Sequence, residues 1–268
     1  MPRAGRRRVE FQLAFACGAA PSQSMDKPAS QSSNACAMMH ERPDPIESIL
    51  STVSRAGLIA RGAFLLADGE RAGALADVRT IVLVGMAGSM GWDAFAASFE
   101  ARDGADRPLD RFSHRVIGAL AEDFDAVALF PFGGPPHWPF QQWARRAEPV
   151  HPSPIGLLIH PVYGLWHSYR GALGFAEALE LPALEVGPSP CDSCRERPCL
   201  SACPVGAFTP RGHDVAACAT HLRSAVGADC MNRGCLARRA CPVGTEHAHG
   251  AEQAAFTMRA FLRARDEL

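Results

Sequence analysis

Eight cysteines fall between residues 191 and 241: Cys191, Cys194, Cys199, Cys203, Cys218, Cys230, Cys235 and Cys241. Thiols at that density are either cross-linked or ligating, and the redox compartment decides between the two. Arg6 to Arg8 form a short basic leader, but Glu10 and Gln12 interrupt the apolar run an export signal needs. A cytoplasmic location is therefore expected, where thiols stay reduced and a cluster of them reads as metal ligands. The other two cysteines, Cys17 and Cys36, match no motif.

Spacing narrows the metal. The first group runs Cys191-x2-Cys194-x4-Cys199-x3-Cys203-Pro204, close to the bacterial ferredoxin run but with a longer middle gap. Short loops of this kind wrap three thiolates round one iron–sulfur cubane, while the fourth cysteine, held by its proline, points to another cluster. A second set is present as Cys218, Cys230-x4-Cys235 and x5-Cys241-Pro242. Two [4Fe–4S] clusters are expected, and at least one. Cys191, Cys194, Cys199 and Cys241 would hold the first, and Cys203, Cys218, Cys230 and Cys235 the second. Zinc on paired cysteine knuckles and plain disulfides are the alternatives, although neither calls for the Cys-x3-Cys-Pro ending. Arg195, Arg197, Arg233, Arg238 and Arg239 lie beside these cysteines. They either offset the negative charge of a cluster or are ordinary solvated surface.

The remaining chain is ordinary by composition. With 27 basic and 28 acidic residues it lacks the positive footprint of a nucleic-acid binder, so a nucleic-acid partner is not expected. No apolar run is long enough to span a membrane. Residues 1–44 are rich in Ser, Pro, Ala and Gln and read as a disordered tail. From Pro45 a helical pattern begins with Ile46, Ile49, Leu50 and Val53 on one face. Strands are expected at GAFLLAD, at Thr80 to Met86, at DAVALFPF and at IGLLIH. Helices are expected from Pro108 through Leu120 and at PFQQWARRA, while YRGALGFAEAL fits either type. This order gives an α/β (α+β) domain over residues 45–188, followed by a small iron–sulfur domain over 189–268.

The stretch GLLIHPVYGLWHSYRG, residues 156–171, resembles the signature of the cobalamin-processing CblC family, and TIVLVGMAGSMGWDAF and PLDRFSHRVIGAL resemble its early strand and helix. The whole chain order, with eight cysteines following such a domain, is similar to the epoxyqueuosine reductases and reductive dehalogenases. The resemblance implies a nitroreductase-like sheet with flanking helices, a ferredoxin-like cluster module, and a cobalamin that receives single electrons. It implies that Arg170 meets an anionic substrate group or the corrin periphery, and that His160 and His167 approach cobalt or donate a proton. It gives cofactor contacts to Gly156, Pro161, Tyr163, Gly164 and Trp166. Core and turn roles are the plain alternative for the histidines, glycines and tryptophan. An external donor such as a ferredoxin or flavodoxin and a small-molecule or corrinoid substrate follow. The helical extension with which epoxyqueuosine reductase grips transfer RNA has no counterpart here, so that substrate is not expected. A ferredoxin-like carrier without corrinoid is the competing reading.

Overall fold

The computed structural model describes residues 45–266; the expected tail and Cys17 and Cys36 lie outside them. Helix α1, Pro45–Arg55, buries Ile49 and Val53. Strand β1, Ile59–Leu65, then pairs antiparallel with β2, Thr80–Ala87. Helix α2, Trp92–Ala96, precedes the longer α3, Pro108–Asp123, which starts on a proline that needs no N–H partner. Strand β3, Val127–Leu129, and helix α4, Phe140–Ala147, follow. Two short strands, β4, His151–Pro152, and β5, Leu158–Ile159, pair as a hairpin before the long strand β6, His167–Phe175.

The main sheet has the order β1-β2-β6-β3 and is antiparallel at every pairing. Alternation divides its side chains between two cores. Val82, Val84, Met86, Leu173 and Phe175 pack with α1, α2 and α3, and Ile81, Leu83 and Ala172 pack with α4. Burial on both faces explains the unbroken apolar run of β2, all eight of whose residues are buried.

Two bulges interrupt this regularity, and both carry an arginine. Between Ala60 and Ala63 the register against β2 slips at Arg61–Gly62, and between Gly171 and Tyr169 it slips at Arg170. Gly62 has a φ of +81°, and a Cβ there would lie 2.1 Å from the carbonyl oxygen of Ala147, so this bulge requires glycine. Arg61 breaks the apolar pattern, which is why β1 begins at Ile59 rather than at Gly62 as the sequence suggests. The strand expected over residues 155–160 shortens to two residues, because Ile155 and Ile159 turn toward the cysteine region and pack against Cys199, Cys241 and Ala237.

The cysteine region is built of short helices: α5, Pro190–Ser193; α6, Pro198–Ser201; α7, Val215–Arg223; α8, Ala228–Arg233; and α9, Leu236–Arg239. A small hairpin of β7, Phe208–Thr209, and β8, Gly212–His213, sits among them. The last helix, α10, Ala251–Asp266, packs on α8 and returns Phe256 to the first core, with ring centroids 5.5 Å from Trp92 and 5.2 Å from Phe95. The described residues belong to one compact unit. Among them no helix is long and apolar enough to cross a membrane.

Candidate functional site

Eight thiols stand round two small cavities. Cys191, Cys194, Cys199 and Cys241 line one, together with prolines, Ile159, Val243 and Arg197. Cys203, Cys218, Cys230 and Cys235 line the other, with Phe208, Leu222, Met258 and His221 among its walls. The grouping crosses sequence order: Cys203 leaves the first run for the second cavity, and Cys241 leaves the second run for the first. These are the sets suggested by the two Cys-Pro endings.

None of the eight is in a disulfide. Burial and neighbouring thiols push Cys191 and Cys199 above the ordinary thiol range and Cys218 to about 11. Thiols gathered in this way lose their protons to a positive charge, which a metal centre supplies. No three His, Cys, Asp or Glu among the described residues converge closely enough for one ion. A set of four thiols spread round a cavity suits a polynuclear cluster better than a single zinc ion. Backbone amides add to the fit: Ala207 N–H donates to Cys203 Sγ at 3.3 Å, and the amides of Ala237 and Arg238 serve Cys235. Such bonds stabilise negative charge on sulfur.

The arginines beside these cysteines separate into groups. Arg233 Nη1 lies 3.3 Å from Asp229, which also pairs with Arg239. Arg197 lines the first cavity. Arg238 does neither: its Nε and Nη2 donate to the carbonyl of Leu165 at 2.9 and 2.6 Å, and its guanidinium lies 4.5 Å over the Trp166 ring. Burial lowers its pKa to about 10, so it remains a cation at neutral pH.

The segment 160–164 seats this region on the sheet. Gly164, at φ +56°, faces the carbonyl of Val243, which a Cβ would approach to 1.9 Å, and a Cβ on Gly244 would lie 2.5 Å from the Tyr163 backbone. Two backbones touch just beyond Cys241 because neither carries a side chain there. His160 braces the same turn: its Nδ1 accepts from the amides of Val162 and Tyr163 at 3.0 and 3.2 Å. The proton is then on Nε2, 3.7 Å from Glu148. Glu148 also accepts from Tyr169 at 2.5 Å and from Arg61 Nε at 3.1 Å. Burial raises the Glu148 carboxyl while Arg61 and Tyr169 pull it down, and burial with the Arg61 charge lowers His160 to about 4. Arg61, Glu148 and Tyr169 were not picked out in the sequence, since they come from three separate segments with no local pattern joining them.

A cleft of about 810 Å³ opens between the sheet and the cysteine region. Met86, His167, Ser168 and Arg170 form its floor. The start of α3, Phe132, Arg238 and one face of α10 form its walls. The bulge turns Arg170 toward α3, where it pairs with Asp110 and its Nε donates to Ser113 at 3.0 Å. His167 Nε2 donates to Leu158 at 3.0 Å, and burial with the Arg61 charge holds its pKa at about 3. It is neutral, and neither histidine is set up to give a proton to the cleft. Of the residues assigned by resemblance, Arg170 and His167 line the cleft. Gly156 and Pro161 are exposed on turns, and Tyr163, Gly164 and Trp166 lie at the seat of the cysteine region. Gln253 of α10, missed in the sequence, lines the cleft too. Its Nε2 donates to Gly88 at 3.0 Å, leaving a buried Oε1 without a partner.

No protein-family model matches this chain. No curated protein matches it. Among solved structures it is similar to epoxyqueuosine reductase from Streptococcus thermophilus, with 14% identity over 75% of this chain and 66% of that one and a TM-score of 0.43. The enzyme from Bacillus subtilis gives 14% identity, 76% and 66% coverage and a TM-score of 0.44. An epoxyqueuosine reductase with a modified tRNA-Tyr stem loop gives 16%, 78% and 70%, with a TM-score of 0.42. This chain spans about two thirds of the length of those structures. The likeness assigns it no activity, substrate or partner.

Proposed function

We propose that this protein is an iron–sulfur oxidoreductase that holds two [4Fe–4S] clusters and delivers single electrons to a ligand in the cleft. The observation that carries this reading is the segment from Cys235 to Cys241. It contributes a thiol to each four-cysteine cavity and, through Arg238, forms part of the cleft wall. A bound cubane supplies reversible one-electron transfer at a potential set by its surroundings. The chain's part is to fix the thiolates by short helices, to aim amide N–H groups at sulfur, and to exclude water with apolar walls such as Ile159 and Met258. Arg170, held by Asp110 and Ser113, gives the cleft floor a fixed rather than a mobile cation.

A corrinoid is the acceptor that the CblC-like stretch implies. Of the residues assigned to it, only Arg170 and His167 line the cleft. The competing reading, a carrier that docks a partner protein and binds no small molecule, leaves the cleft without a use. The external donor is expected to be a ferredoxin or flavodoxin. The expectation against nucleic acid rests on charge and on the resemblance, and the tRNA stem loop held by one similar reductase makes such a stem loop an arm of the test.

The experiment is an anaerobic redox titration followed by electron paramagnetic resonance on the wild type, Cys241→Ala and Cys230→Ala. Two one-electron centres are expected in the wild type, each variant losing a different one. Hydroxocobalamin and a tRNA stem loop are then titrated in turn. A single centre, or the same centre lost in both variants, contradicts the two-cluster assignment.

A further inference from the structure

The cleft is lined by the cations Arg170, Arg238, Arg263 and Arg265 and by the carboxylates Asp106 and Asp110. Asp110 is already engaged by Arg170. Arg238 differs from the rest in being both fixed and unmatched. The Leu165 carbonyl and the Trp166 ring hold its plane, and among the described residues no carboxylate pairs with it. Its neighbours Arg233 and Arg239 have Asp229 to satisfy them. A half-buried guanidinium held this way costs desolvation that a ligand can return, and its fork suits two oxygens of one anion.

The surrounding walls specify the rest of the ligand. Trp92, Phe132 and Phe256 line the cleft and supply aromatic surface suited to an apolar body. Gln253, whose Nε2 donates to the Gly88 carbonyl at 3.0 Å, also lines the cleft. Arg263 and Arg265, exposed near the end of α10, raise the local concentration of anions at the cleft.

We propose that the cleft binds an organic oxyanion, a carboxylate or phosphate on a flat apolar body, with the anionic group on Arg238. This rests on the cleft being the substrate site of the proposed oxidoreductase and names the class of molecule that enters it. Arg238 is then a binding residue standing three positions from a thiol of each cavity.

The test is calorimetric titration of the cluster-loaded chain with naphthalene-1-carboxylate, 1-naphthyl phosphate and the neutral 1-naphthamide. At least one anion is expected to bind about tenfold or more tightly than the amide, the scale of one charge-assisted contact. Whichever anion is preferred identifies the group as carboxylate or phosphate. In Arg238→Gln the preference should fall to about twofold, and Arg238→Lys should retain part of it. If Arg238→Gln fails to load iron, the double variant Arg263→Gln/Arg265→Gln should still weaken anion binding, by about threefold. Equal affinity for amide and anions in the wild type overturns the proposal. So does an unchanged preference in iron-loaded Arg238→Gln. Iron and sulfide are counted in the same samples: a loaded chain without anion preference sinks this inference alone, and a chain that prefers anions but holds no iron sinks the redox reading alone.

Discussion

Gly164 and Gly244 let two backbones meet where a methyl group would overlap a carbonyl, and that contact lies three residues past Cys241. Gly164→Ala should therefore unseat the loop that bears Cys241 and destabilise the chain by roughly 2–4 kcal/mol, by strain at a positive φ and by overpacking. The check is a urea midpoint together with iron content, and iron should fall by about half if only the first cavity is disturbed. Full iron and an unchanged midpoint would refute this role for the turn. The buried histidines make a second residue-level prediction. His160 is held at about 4, and His167 and His249 at about 3, chiefly by burial. In the unfolded chain they take protons near pH 6.5, so from there down to about pH 4 for His160 and about pH 3 for His167 and His249 the unfolded state binds more protons than the folded one. Stability should drop as pH falls through that window and be fully present above it. His249→Phe should flatten the dependence measured by urea unfolding, and an unchanged slope contradicts the assignment.

Among the elements, α10 does two jobs: Phe256 joins the aromatic group of Trp92 and Phe95, and Met258 closes the second cavity. Met258→Asp should put an unpaired charge beside four thiolates and cut iron by about half, with the resonance of the other centre retained. Loss of both centres, or of neither, counts against separate cavities. What the sequence could reveal varied with burial. Strand β2 was legible because both its faces are covered, and α1, α3 and α4 because each has a strong apolar face. Strand β6 stayed ambiguous because the bulge at Arg170 breaks its alternation. Helix α10 was missed because much of its buried face consists of the small side chains Ala254 and Ala255, which give weak periodicity. The thiol sets could be suggested from spacing since short loops limit where each sulfur can reach. The cleft could not, because its wall joins Arg170, Arg238 and Gln253 from distant parts of the chain and no local pattern links them.

At the scale of the whole molecule, an antiparallel sheet with helices on both faces supports a cysteine region through the Gly164–Gly244 backbone contact, the packing of Ile155 and Ile159, and a returning helix, leaving a cleft between them. Net charge near zero conceals the local asymmetry of that cleft, and so composition excluded less than it suggested. The proposed chemistry depends on what the two rings of thiols hold. Iron and acid-labile sulfide, measured per chain on protein purified without oxygen, test this most directly. About eight of each are expected, falling to about four in both Cys241→Ala and Cys230→Ala. Stoichiometric zinc without sulfide, or a chain that folds fully and carries no metal, would contradict it.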